Sequence, residues 1–208
     1  MNAKYKSLRQ TAVCVVATLV VAACIGVWSV AASEPARAVV ERFDSLLLST
    51  MKQGRDLDFG ARYDKLARRI DTDFDMPKIA RHSLGTSWAA LDAAQQRAYV
   101  ARMRRMLIAG YARTYDQYAN QRFDIARREK IDPDSRQVDA ALIAPDGTRQ
   151  VTRYTLADER GRWRVVRMSP SMGFDASRAA EIVQCDGAQA VLAWMDRGLA
   201  RYPQLPKA

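Results

Sequence analysis

The chain is 208 residues long, with 33 Lys and Arg against 23 Asp and Glu, one histidine and three cysteines. So few nitrogen and sulfur ligands exclude an ordinary zinc centre. No Gly-rich phosphate loop or aromatic-interleaved basic stripe points to nucleotide or nucleic-acid binding. A formal net charge of +10 suits an anionic partner: a membrane surface, a lipid head group or an acidic protein patch.

Residues 1–32 read as an export signal. Lys4, Lys6 and Arg9 form a basic head, Thr11 to Val30 is almost wholly apolar, and small residues follow, with cleavage after Ala31 or Ala32. Two other readings stay open: an uncleaved anchor, because the run is long enough to span a bilayer, and lipidation at Cys24 of "VAAC". All three place the body of the chain outside the cytoplasm. Three of the 33 basic residues and none of the 23 acidic ones precede Glu34, so the exported part carries net +7. Its lone cysteine, Cys185, cannot form an internal disulfide. Residues 33–208 are one domain's worth of chain, enough to bury a core without covalent staples.

Val39, Val40, Phe43, Leu46, Leu47 and Met51 recur at helical spacing from Pro35 to Met51, and Gly54 ends that helix. A second helix is predicted from Asp58 to Ile70, and a short third from Pro77 to Leu84, with Gly85 placed to stop it. The fourth and longest runs from Asp92 to Tyr118, with Asp92 and Gln95 spaced as a capping box. Tyr99, Met103, Met106, Leu107, Gly110, Tyr111, Thr114 and Tyr118 share one of its faces, flanked by Arg102, Arg104 and Arg113. From Phe123 the period changes to two. "RFDIARREKI", "RQVDAALIA", "TRQVTRYTLAD" and "RWRVVRMS" predict four antiparallel strands, with turns at "APDGT" and "DERGR". Helices over Ala176–Gln184 and Ala188–Leu199 close the chain. The fold class is α+β: helices packed on one face of a curved four-stranded antiparallel sheet.

The single histidine, His82, is followed by Ser83, a pairing that invites a hydrolase reading. Adjacent residues on one helix point about 100° apart, and the chain has no Gly-x-Ser-x-Gly elbow. His82 is therefore expected to pack or cap at a helix end. Asp73 and Asp75 precede a helix, where capping explains them. "LGTSW" reads as a corner that turns inward at Trp88.

Phe74-Asp75, then Leu84-Gly85-x-x-Trp88, then Gln95, Tyr99, Leu107, Tyr111 and Tyr115 on a long helix resemble the signature of MlaC-type (toluene-tolerance) proteins. The resemblance runs from Pro35 to Leu199 and includes Trp163 and "CDGAQAVLAWMDRGL". It departs at "VVRMSPSMGFDASRAAEIV", where Arg167 stands near the family's Asp and only Gly173 and Arg178 look similar. That departure points toward the hopanoid-associated (HpnM-type) branch.

The resemblance implies a periplasmic shuttle for phospholipid or hopanoid, with no cofactor and no metal. The implied partners are an MCE-domain protein of an ABC transporter and an outer-membrane complex. It also implies a deep apolar pocket, here expected between the long helix and the inward face of the strands. The residues that would line it are Leu47, Met51, Phe74, Tyr99, Met103, Met106, Leu107, Tyr111, Tyr118, Phe123, Ile125, Val138, Leu142, Tyr154 and Leu156. Methionines adapt to varied chains. Two alternatives remain at the level of sequence. One is an isomerase- or hydratase-type enzyme on a similar cone-shaped scaffold, which would bring a carboxylate or histidine into the pocket. The other is a solid-cored interaction module.

Overall fold

The computed structural model describes residues 35–126, 129–202 and 204–205, with the Arg55 side chain left out. The leader, and every reading of its fate, lies outside the described residues. Among these residues no helix is long and apolar enough to cross a membrane.

Helix α1 (Ala36–Gln53) ends where Gly54 takes a positive φ of 48°, a conformation that is inexpensive only without a Cβ. Asp58 caps α2 (Phe59–Asp73), its side chain accepting the Ala61 N–H at 2.7 Å. Asp75 does the same for α3 (Met76–Leu84) through the Lys78 N–H at 2.9 Å. Asp75 of the "DFD" stretch is therefore a cap, as its position predicts, whereas Asp73 is no cap: it ends α2, buried, and pairs with Arg69 at 3.5 Å and Arg42 at 3.9 Å. A 3₁₀ turn, Gly85–Ala90, makes the corner, and Gln184 ties it down through Ser87 at 3.0 Å. Helix α4 (Ala93–Thr114) opens on a complete capping box between Asp92 and Gln95. Its basic flanks are used in docking: Arg102 grips Asp196 with two bonds, and Arg104 grips Asp71 likewise.

The sheet has five strands: β1 (Arg122–Ile125), β2 (Lys130–Asp132), β3 (Ser135–Ile143), β4 (Arg149–Asp158) and β5 (Trp163–Ser169). The order is β1-β3-β4-β5, all antiparallel, with β2 also paired to β3. The predicted first strand is thus two strands in one row beside β3. The interruption lies where α1 begins. The Arg37 guanidinium donates to the Ile125 and Ala126 carbonyls, and Glu129 accepts the Arg37 backbone N–H at 3.1 Å. Those groups serve a helix start instead of a ladder. A bulge between Thr155 and Leu156 bends β4 against β5. Helices α5 (Ala176–Asp186) and α6 (Ala188–Leu199) follow, with Gly187 between them.

Register settles the face that alternation alone leaves open. Phe123 pairs with Leu142, Ile125 with Ala140, and Val138 with Tyr154. Partners share a face and period two carries it along each strand, so Phe123, Ile125, Val138, Leu142, Tyr154 and Leu156 all point toward the helices. There Phe43, Phe74, Leu66, Ile70, Leu107 and Leu156 form a fully buried core.

Candidate functional site

The helices do not cover the concave face of the sheet evenly. Around Val138, Leu156 and Val165 it is packed solid, whereas toward Leu142 and Thr152 a chamber of about 270 Å³ remains. Tyr111 of α4 and Tyr115 at its C-cap, with Phe123, Leu142 and Tyr154 of the sheet, line this chamber. So does Asp44 from α1. A larger cavity of about 750 Å³ lies between α4, α6 and the segment joining β5 to α5. Met106, Met168, Phe174 and Trp194 give it apolar walls, and the exposed Arg197 and Arg201 stand at its rim.

The segment that follows β5 borders both spaces, because Pro170, Ser171 and Gly173 line each of them. Its position is set by a backbone contact with α4. A Cβ on Gly110 would lie 3.3 Å from Met172 Cγ, and one on Gly173 would lie 3.3 Å from Gly110 Cα. Gly173 also has a φ of +66°. Two glycines thus bring the β5–α5 segment against α4, where it borders the chamber on one side and the larger cavity on the other.

The predicted lining residues separate into three groups. Tyr111, Phe123, Leu142 and Tyr154 meet in the chamber, and Met106 faces the larger cavity. Leu47, Met51, Phe74, Tyr99, Met103, Leu107, Val138 and Leu156 are buried against other side chains, and Ile125 is half-buried. Tyr118 stands apart. Helix α4 ends at Thr114, four residues short of the predicted end, and Tyr118 is 41% exposed with the Lys52 ammonium over its ring. The Tyr115 N–H closes the last turn on the Tyr111 carbonyl, and the chain then leaves the helix axis.

His82 and Ser83 do not act on each other. The Ser83 hydroxyl donates to the Ala80 carbonyl at 2.7 Å and meets the Tyr99 hydroxyl at 2.9 Å. His82 is exposed, and its Nδ1 accepts from the Arg167 guanidinium at 2.9 Å. Partial burial, then the Arg167 charge, hold its pKa below the usual histidine value, so the ring is neutral near pH 7. Among the described residues no cluster of three or more His, Cys, Asp or Glu could hold a metal.

The residue that sequence reasoning missed is Asp44. It is 3% exposed and neither carboxylate oxygen has a hydrogen-bond partner. Burial, with a smaller contribution from Glu41, pushes its pKa up to about 7. The neighbouring phenols are also shifted upward by burial: Tyr115 to about 12, and Tyr111 and Tyr154 further. All three keep their protons at any physiological pH. A signal was present in the sequence, since Asp44 falls four residues after Val40 and three before Leu47, inside the apolar stripe of its helix. Arg197 and Arg201, four residues apart at the end of α6, were also missed, because basic residues at a helix C-terminus are ordinary there.

The MlaC protein family matches this chain over residues 41–169. The chain belongs to the MlaC family. A phospholipid-binding protein from Ralstonia solanacearum, solved in complex with a phospholipid, superimposes with a TM-score of 0.66 at 19% identity. The alignment covers 82% of this chain and 100% of the Ralstonia chain. At that identity the likeness is one of fold, and it establishes the MlaC architecture, which among the described residues comprises six α-helices on a five-stranded sheet. No curated protein matches the chain at a significant level.

Proposed function

We propose that this MlaC-family protein is a non-enzymatic carrier that holds one phospholipid or hopanoid-type lipid in the periplasm of a Gram-negative cell. It passes the lipid between membrane complexes as an auxiliary to an ABC transport system with an MCE-domain component. The observation that carries the reading is the amphipathic cavity of about 750 Å³, with Met106, Met168, Phe174 and Trp194 inside and Arg197 and Arg201 at the rim. The walls suit hydrocarbon, and each buried CH₂ contributes about 0.8 kcal/mol, so one ~16-carbon chain contributes on the order of 10 kcal/mol before costs. The two guanidiniums suit a phosphate, which arginine binds with paired, charge-assisted hydrogen bonds. The phospholipid in the Ralstonia relative supports the same ligand class. Export by residues 1–32 belongs to this proposal, as does the single-domain reading of residues 33–208.

Native mass spectrometry of protein recovered from a lipid-containing periplasm, paired with extraction of labelled phospholipid from vesicles, tests it. The expected result is one lipid per chain. Replacing Arg197 and Arg201 together by alanine is expected to weaken extraction of an anionic phospholipid about tenfold, the scale of a lost charged hydrogen bond. Lipid-free protein that also fails to extract labelled lipid would refute the proposal.

One observation favours a second reading, an isomerase- or hydratase-type enzyme: Asp44 is a buried carboxyl poised near neutrality inside a chamber. Such chemistry also needs a group that stabilises developing charge, a part that the tyrosine hydroxyls or Gln150 of the chamber's lining would have to take. Recovering bound lipid chemically altered after incubation with the protein, and unaltered with Asp44→Asn, would select the enzyme.

A further inference from the structure

The larger cavity accounts for hydrocarbon and phosphate, but the chamber holds something that neither requires. Asp44 is 97% removed from solvent, by its 3% exposure, and both its oxygens lack partners. The groups that face it are Tyr111 from α4, Tyr115 at the C-cap of α4, Tyr154 from β4, and Glu41 one turn earlier on its own helix. Gln150, Thr152 and Ser171 add polar atoms to the lining. Leaving a buried polar group unpaired is costly even when it is neutral, and far more so when it is charged. A site for plain hydrocarbon would be better served by leucine at position 44. A carboxyl in a small aromatic chamber stabilises the complex only if the occupant returns a hydrogen bond.

A protonated carboxyl is both donor and acceptor, and a hydroxyl is its complement. The chamber shares Pro170, Ser171 and Gly173 with the cavity whose rim carries the arginines. A lipid held by its phosphate at that rim would direct its far end toward this shared wall. We propose that the Asp44 chamber is a polar subsite that takes a hydroxyl at the buried end of the lipid, and so selects hydroxyl-bearing lipids over those ending in plain hydrocarbon. This rests on the lipid-carrier reading. The selectivity resembles that of any site built to bond a hydroxyl, which rejects the analogue lacking it because its own buried group is then left unpaired.

The test is an internal competition. Vesicles carry equal amounts of two phosphatidylglycerols, one with hexadecanoyl chains and one with 16-hydroxyhexadecanoyl chains, and extracted lipid is quantified by mass spectrometry. Wild type is expected to enrich the hydroxylated lipid about tenfold. Asp44→Leu is expected to extract as much lipid in total with the enrichment gone. Asp44→Asn, whose amide both donates and accepts, is expected to keep part of it, and thermal melts confirm that both variants are folded. Equal extraction of the two lipids by wild type overturns the proposal, as does enrichment that survives in Asp44→Leu. Stronger enrichment of a matching probe with a terminal amine overturns it too. Extraction of neither lipid overturns the carrier reading itself, and this subsite with it.

Discussion

Replacing Asp44 with asparagine should change how stability depends on pH between pH 4 and pH 8.5. The carboxyl is pushed from 3.8 to about 7 on folding, chiefly by burial. The folded state therefore binds this proton more tightly than the unfolded chain does. Its contribution is fully present below about pH 4, is lost as pH rises through the window from 3.8 to about 7, and is absent above it. At about 1.4 kcal/mol per pH unit, the whole loss amounts to about 4 kcal/mol, a large part of the stability of an ordinary domain. Asparagine does not titrate. Its unpaired amide adds an offset that is the same at every pH, and the other titrating groups cancel in the difference between the two proteins. Urea unfolding of lipid-free wild type and Asp44→Asn from pH 4 to pH 8.5 measures that difference. It should move in favour of asparagine by about 4 kcal/mol across the series, with m-values unchanged. A difference that stays flat with pH would refute the burial argument, because Asp44 would then be solvated or paired in the folded protein.

Met103 and Met106 sit one turn apart on α4 but face different surroundings. Met103 is 1% exposed and lines neither the chamber nor the larger cavity, so Met103→Trp should overpack and lower stability by about 1–3 kcal/mol. Met106→Trp should instead fill part of the larger cavity and cut lipid occupancy more than stability; equal melting losses with occupancy unchanged would mean that both methionines are core. His82→Ala should leave lipid extraction within about twofold of wild type, since the ring is exposed and its Nδ1 is bonded to Arg167. A drop beyond about tenfold at unchanged stability, the scale of acid–base catalysis, would return His82 to the chemistry.

Local sequence determined the helices because each carries its own boundary chemistry. Asp58, Asp75 and Asp92 accept N–H groups at three helix starts, and Gly54 and Gly85 adopt the positive φ that ends two of them. Alternation placed the strand rows for the same reason: period two is a property of the chain itself. The family signature around Leu84, Gly85 and Trp88 was also legible, since it lies within one short stretch. Tertiary structure decided what depends on distant partners. Arg37 and Glu129, ninety-two residues apart, accompany the division of the first strand row. Cross-strand pairing, not alternation, set which face of the sheet looks inward. The chamber and the larger cavity border the same β5–α5 segment because Gly110 and Gly173 meet across 63 positions of sequence, a closeness no local pattern encodes. Asp44 was visible as a charge in an apolar stripe. Whether such a charge reaches solvent or stays buried without a partner depends on what packs over it, and α4 and the sheet close over Asp44 only once the whole domain is assembled.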